Sequence, residues 1–235
     1  MRRLPRVGVS ALIAVFATFA AVIPLLAALS GLLNAARNES DLRATDSLNV
    51  ASRQIALRLS RGLTEQWFEH EALARIATTE GINGNFSVRL DTAKALNSRL
   101  AWMGIAAPDG RVLAATNNLL EGQDVSARPW FRAGLQGAFA GDVHEAQLLA
   151  RHLPRAADGE PLRLIDFSGP LRRPDGSVAA VLGSHVDWAW VRDLVRAAPG
   201  PTGAEALLIS REGIVLVGPA GLEGRQLRLR ATLSA

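Results

Sequence analysis

Glu121-Gly122-Gln123-Asp124-Val125-Ser126-Ala127-Arg128-Pro129-Trp130-Phe131-Arg132 gathers the most specific polar and aromatic groups of the chain into one short stretch. Asp124 and Ser126 each suit an N-cap, accepting a backbone N–H at a helix start, and Pro129 suits the first turn, where its missing donor costs nothing. The stretch therefore predicts a short helix. The residue before a proline is pushed toward extended backbone, so Arg128 should leave the helix start at a different angle from Trp130 and Phe131. A guanidinium fork beside an indole at a helix N-terminus suits a planar anion such as a carboxylate. The plainer alternative is a capped helix with a surface ion pair and two core aromatics.

At 235 residues, 49% of them hydrophobic, the chain is long enough for one large or two small domains with a sizeable core. A net charge of +4 and a pI near 11 resemble a nucleic-acid binder. The basic residues, though, are arginines apart from Lys94, they are spread among 22 acids without a basic stripe, and the absence of tyrosine inflates the pI. No nucleic-acid partner is expected. Zero cysteine excludes disulfides, thiolate metal sites and thiol nucleophiles.

From Val7 to Ala36 no residue is charged. As helix this run would extend about 45 Å, more than the roughly 30 Å of a hydrocarbon core. Arg2, Arg3 and Arg6 precede it, while Arg37, Glu39 and Asp41 follow. The positive-inside bias then keeps the N-terminus in the cytoplasm, with residues 1–37 as tip and transmembrane helix and the rest in the periplasm. A cleavable signal peptide, cut near Ala27-Ala28 or Ala35-Ala36, is the competing reading; its apolar core should be shorter.

Residues 38–80 predict one long helix. Leu48, Ala51, Ile55, Leu59, Leu63 and Trp67 make one apolar stripe, and Val50, Leu57, Phe68 and Ile76 a second. One face can cover the following domain and the other can meet a helix from a second copy; the alternative puts both on a single core. Gly62 predicts a weak point in this helix, about 1 kcal/mol worse than alanine. Gly81-Ile82-Asn83-Gly84-Asn85 ends the helix, and Phe86, Leu90, Ala93, Leu96 and Leu100 mark a second.

Then the period changes. Ala101 to Ala107 and Arg111 to Thr116 flank Pro108-Asp109-Gly110, and Arg163 to Arg172 and Ser177 to Val186 flank Pro174-Asp175-Gly176, which predicts two antiparallel hairpins. A strand is expected near Ala138 to His144, and a helix over Asp187 to Ala198. Pro199-Gly200-Pro201-Thr202-Gly203 reads as a linker. Beyond it, Glu205 to Gly218 echoes Met103 to Thr116, so residues 199–235 read as a linker and the opening of a second similar module, too short to bury a core alone.

This order, with Gly-x-Asp-x-Ser-x-Arg-Pro-Trp-Phe between the hairpins, resembles the extracytoplasmic Cache sensor domains of bacterial membrane receptors. The resemblance covers about Asn38 to Ala198. It implies an α+β fold in which a PAS-like antiparallel sheet over 81–198 holds a small ligand, in the inner membrane, with the start of a second Cache module. A diguanylate cyclase, histidine kinase or chemotaxis output would lie beyond this chain. In amino-acid-binding members an Arg-x-Trp-Tyr motif holds the ligand carboxylate, so Arg128, Trp130 and Phe131 are the implied ligand-binding residues, with Phe for Tyr. The family's ammonium-binding aspartate falls near His185, and no Tyr-x-Asp pair stands around Val143 to Leu149. The resemblance thus implies a carboxylate or other small anion rather than an α-amino acid, with His185 and His144 as donors opposite Arg128. Asp166 alternates with Ile165 and Phe167 and faces either pocket or solvent. A core histidine and a surface histidine are the plain alternatives for His185 and His144.

Enzyme chemistry is not expected. His144-Glu145 has Leu148 where a zinc protease needs its second histidine, and Gly183-Ser184-His185 lacks the second glycine of a nucleophile elbow. No phosphate or dinucleotide loop occurs, and no cofactor or metal is implied.

Overall fold

The structure, a computed structural model, describes residues 9–81, 86–146, 148–153, 161–197, 204–219 and 221–227, with side chains from residue 22 onward. The chain divides into two compact units, Met1–Arg53 with Pro199–Ala204, and Gln54–Ala198 with Glu205–Ala235. The expected linker at 199–203 and the loop at 82–85 lie outside the described residues.

Helix α1 runs Val9–Glu80 and contains Pro24. The helix expected from residue 38 is thus continuous with the apolar run before it. Among the described residues no helix is long and apolar enough to cross a membrane, and the run Val7–Ala36 begins outside them. Near its C-terminus the Thr78 and Thr79 hydroxyls donate to the carbonyls of Ala74 and Arg75, at 2.9 and 3.0 Å. Helix α2 covers Phe86–Leu96. Leu100, placed on that helix by its spacing, instead opens strand β1.

The sheet is built from β1 (Leu100–Ala106), β2 (Val112–Ala115), β3 (Phe139–Ala140), β4 (His144–Glu145), β5 (Arg163–Arg172) and β6 (Val178–Asp187). Its order is β2-β1-β6-β5-β3, with β4 also on β5. The β5–β6 turn follows from local chemistry: the Asp175 carboxylate accepts the Ser177 N–H at 2.9 Å and its hydroxyl at 2.6 Å. These bonds, the hydroxyl foremost, hold the Asp175 carboxyl below its ordinary range. Asp109 accepts the Arg111 N–H at 3.0 Å in the same way. The single strand expected near Ala138 to His144 is two short pieces, β3 and β4. Helices α3 (Pro129–Gln136) and α4 (Ala189–Arg196) complete the domain.

Alternation along β5 sets the layers. Ile165 and Phe167 face a core with Leu73 and Ala77 of α1, Leu90 of α2 and Val191 of α4. Leu164 faces a second core with Trp102, Trp130 and Phe131. On α1, Ile55, Leu59, Leu63 and Trp67 pack on the first core, as does Ile76 of the second stripe. Val50, Leu57 and Phe68 are exposed.

Strands β7 (Leu208–Ile209) and β8 (Val215–Val217) form a separate two-stranded sheet. The echo of the first hairpin extends to its hydrogen bonds. Val112 N–H donates to Gln123 O and Val125 N–H to Gly110 O, at 3.0 and 2.8 Å; Val215 N–H donates to Arg225 O and Leu227 N–H to Gly213 O, at 2.9 and 2.8 Å. Val217 is buried in the first core.

Gly62 is a contact rather than a weak point. A methyl at this position would stand 2.7 Å from the Trp190 ring, which Arg99 covers from 4.6 Å. Gly62→Ala should therefore lower stability by about 1–3 kcal/mol despite the better helix propensity of alanine. A rise in the urea midpoint would refute this. A second expectation concerns His70, which α1 buries so that its pKa falls to about 4. The unfolded ring titrates near 6.5, so the stability held by the neutral ring is complete above that pH. It should decline by about 1.4 kcal/mol per pH unit as pH falls toward 4. Urea midpoints at pH 7 and 4.5, compared with His70→Gln, check the slope, which the variant should lose.

Candidate functional site

Three strands carry one row of side chains across the sheet. Trp102 of β1 pairs with His185 of β6, and His185 pairs with Asp166 of β5. Asp166 and His185 are each 5% exposed. The His185 Nδ1–H donates to Asp166 Oδ1 at 2.5 Å, since the carboxylate only accepts. Trp102 stacks on the imidazole at 5.0 Å between centroids and 24°, and Trp130 meets it edge-on at 5.5 Å and 81°. The indole N–H of Trp102 donates to Leu119 O at 2.9 Å.

The neighbouring row makes room for these rings. Gly104 pairs with Gly183, and Gly183 with Ser168. A methyl on Gly104 would stand 2.3 Å from the Trp102 ring, and one on Gly183 2.5 Å from the Trp130 ring. Ser168 Oγ–H donates to Trp130 O at 2.7 Å, fastening α3 to the sheet.

Helix α3 starts as the proline predicts, with Pro129 in its first turn and extended backbone at Arg128. The capping residues differ from expectation. Arg128 is the N-cap, with no side-chain cap bond, whereas the Asp124 carboxylate accepts the Ser126 N–H at 2.7 Å, a bond that lowers its pKa. Asp124 shapes the turn before the helix, and Arg132 Nε–H, donating to Ser126 O at 3.0 Å, closes it.

Above the Trp102–His185–Asp166 row lies a cavity of about 430 Å³. Arg128, Trp130, His144, Asp166 and His185 all line it, brought together from α3, β4, β5 and β6. Phe131 does not. It is 2% exposed, in the second core, with its ring perpendicular to Trp130 at 5.9 Å, and so supports the indole from behind. Arg128 is half-buried, and its side chain has no hydrogen bond or ion pair among the described residues.

Both histidines are turned toward Asp166 rather than toward Arg128. His144 Nε2 lies 3.4 Å from Asp166 Oδ2, and its Nδ1 lies 3.2 Å from Asp142 O. Both nitrogens face oxygens. Three residues that the sequence did not single out also line the cavity: Trp102, and the carboxylate-bearing Asp142 and Glu145 of the segment around β4. Among the described residues no cluster of His, Cys, Asp and Glu is arranged to hold a metal ion.

No protein-family model matches the chain, and no curated protein matches it by sequence. Solved structures do. The chain is similar to the ligand-binding domain of the Pseudomonas aeruginosa amino acid chemoreceptor PctC in complex with GABA, at 19% identity over 77% of this chain and 80% of that one, TM-score 0.59. It is similar to that of the Campylobacter jejuni chemoreceptor Tlp3 in complex with 4-methylisoleucine, at 18% identity over 75% and 68%, TM-score 0.55. The Pseudomonas fluorescens chemoreceptor CtaA with L-serine gives 18% identity over 74% and 72%, TM-score 0.55. The chain thus has the fold of the ligand-binding domains of bacterial chemoreceptors, the Cache-type sensor fold.

Gly183→Ala should displace the Trp130 ring and cost about 1–3 kcal/mol, because an inserted methyl in a packed layer forces its neighbours off their rotamers. Near-ultraviolet circular dichroism should change with it. An unaltered aromatic spectrum and urea midpoint would refute the packing described.

Proposed function

We propose that the chain is the sensing part of a membrane-anchored receptor and that the cavity takes a small ligand bearing a carboxylate. One observation carries the reading: Arg128 lines the cavity with no protein partner among the described residues. A half-buried guanidinium is stabilised by a planar acceptor pair, and the start of α3 adds a field favourable to the bound anion. Trp130 offers a flat apolar wall to the ligand body. Asp142, Glu145 and Asp166, which line the same cavity, can accept hydrogen bonds from donor groups on the ligand, hydroxyl or amine. Ligands of this kind, GABA and L-serine, occupy PctC and CtaA.

The anchor reading is supported by the uncharged run Val7–Ala36 and by the exposure of Ile23, Leu25, Leu26, Leu29, Leu32 and Leu33 along α1. A lipid environment covers such side chains. This reading keeps the N-terminus in the cytoplasm and the cavity in the periplasm. Exposed Val50, Leu57 and Phe68 fit a second copy docking through α1. Residues 204–227, with the hydrogen-bond pattern of the first hairpin, read as the opening of a second module of the same kind. Any catalytic output belongs outside this domain.

Calorimetric titration with GABA, L-serine, L-valine, acetate, propionate and succinate tests the ligand class. At least one should bind, and Arg128→Gln should weaken it about tenfold to a hundredfold, the worth of a charge-assisted hydrogen bond. Silence across the series at millimolar concentration, or binding indifferent to the substitution, overturns the carboxylate reading.

A further inference from the structure

From Gln54 onward α1 packs on the sheet face away from the cavity through apolar side chains and His70. Off the strands, Gln66 and Glu69 accept from Asn97 Nδ2 at 2.8 and 2.5 Å, and Glu65 lies 3.7 Å from Arg99. His70 is 0% exposed, and its Nδ1 stands 2.7 Å from Ser184 Oγ. This is the one side-chain hydrogen bond between α1 and the strands among the described residues. The other ring nitrogen, Nε2, is buried without a partner among them. It points toward β5, where a methyl built on Gly169 would stand 3.7 Å away. Trp67, one turn earlier, stacks on the imidazole at 5.7 Å and meets Phe167 edge-on at 5.7 Å.

Ser184 and His185 are consecutive on β6, so their side chains leave on opposite faces. Ser184 pairs with Phe167, and His185 with Asp166. One dipeptide of a central strand therefore holds the cavity's buried carboxylate with one side chain and the long helix with the other. Apolar contacts are non-directional and survive a small slide or rotation of α1; a hydrogen bond does not. Losing it would leave the Ser184 hydroxyl and both imidazole nitrogens buried and unserved, so α1 has distinct bonded and unbonded arrangements rather than a continuum.

We propose that His70 is a positioning residue: its hydrogen bond to Ser184 sets the register of α1 against β6, and the Asp166–His185 pair in the cavity biases that register through the Ser184–His185 step. The proposal rests on the cavity being the sensing site. A ligand that draws on Asp166 alters the hold on His185, re-aims that residue on β6 and moves Ser184 on the reverse face. The helix carries the change along its length.

The test needs no ligand. Amide hydrogen exchange of residues 63–74 is measured in the full chain, in Asp166→Asn, in Ser184→Ala, in His70→Phe and in the corresponding double variants. Asp166→Asn should speed exchange on α1 about fivefold where the His70–Ser184 bond is intact, and should have no further effect in either background that lacks it. His70→Gln, whose amide can serve the Ser184 hydroxyl, should restore the response. Ser184→Ala removes one oxygen only and keeps the cycle readable if His70→Phe does not fold. Additive effects in the double variants, or an α1 indifferent to Asp166→Asn, overturn the proposal. Failure of the carboxylate titrations with an intact cycle would remove the ligand reading and leave the mechanical link standing; the reverse outcome would remove the link alone.

Discussion

A carboxylate inside a sheet is expensive, and Asp166 is one. Unless its oxygens are served, a buried anion costs several kcal/mol, so its surroundings are not free to vary. His185 sits directly opposite on the neighbouring strand and donates from Nδ1, while His144 approaches the other oxygen from the edge strand. Once the imidazole is fixed, Trp102 can stack on one face and Trp130 can approach edge-on, and those two rings form the cavity's floor and wall. The cavity is therefore a consequence of how one acid is satisfied.

Room for two indoles on a sheet has to come from their neighbours. The row Ala115–Gly104–Gly183–Ser168 crosses four strands without a bulky side chain, and Trp102 and Trp130 lie over it. The same row lets α3 approach closely enough for Ser168 to bind the Trp130 carbonyl. The position of Arg128, one residue before the helix, is inherited from that attachment. A small-residue row thus sets the height of α3, and α3 sets where the Arg128 guanidinium stands.

Features written by local chemistry were legible in the sequence. Pro-Asp-Gly with a following serine or arginine N–H forms its turn from residues two apart, so both hairpins and the limits of β5 could be read directly. Pro129 likewise marked the start of α3. What failed to show depends on distant partners. Asp124 and Ser126 looked like helix caps because sequence does not reveal that the Asp124 carboxylate is occupied by the Ser126 N–H. Gly62 looked like a flaw because Trp190 is far along the chain. Trp102 looked like any strand residue. The Trp102-x-Gly104 spacing was its only local signal, and that spacing gains meaning when Gly183 is known to be its neighbour. The region around β3 and β4 carried no strong period because each strand is only two residues long.

Strand register also changes the charge logic of the cavity. By resemblance alone, His185 stands where an ammonium-binding aspartate is expected, which argues against any cationic group in the ligand. Pairing of β5 with β6 returns a carboxylate to that place from the adjacent strand, and the segment around β4 adds Asp142 and Glu145 to the lining. The histidines read as donors for an anion are instead committed to Asp166 and to the Asp142 carbonyl. The cavity lining therefore combines a guanidinium without a partner among the described residues with three carboxylates. Under the proposed reading, a second carboxylate on a ligand held by Arg128 would meet the lining carboxylates Asp142, Glu145 and Asp166.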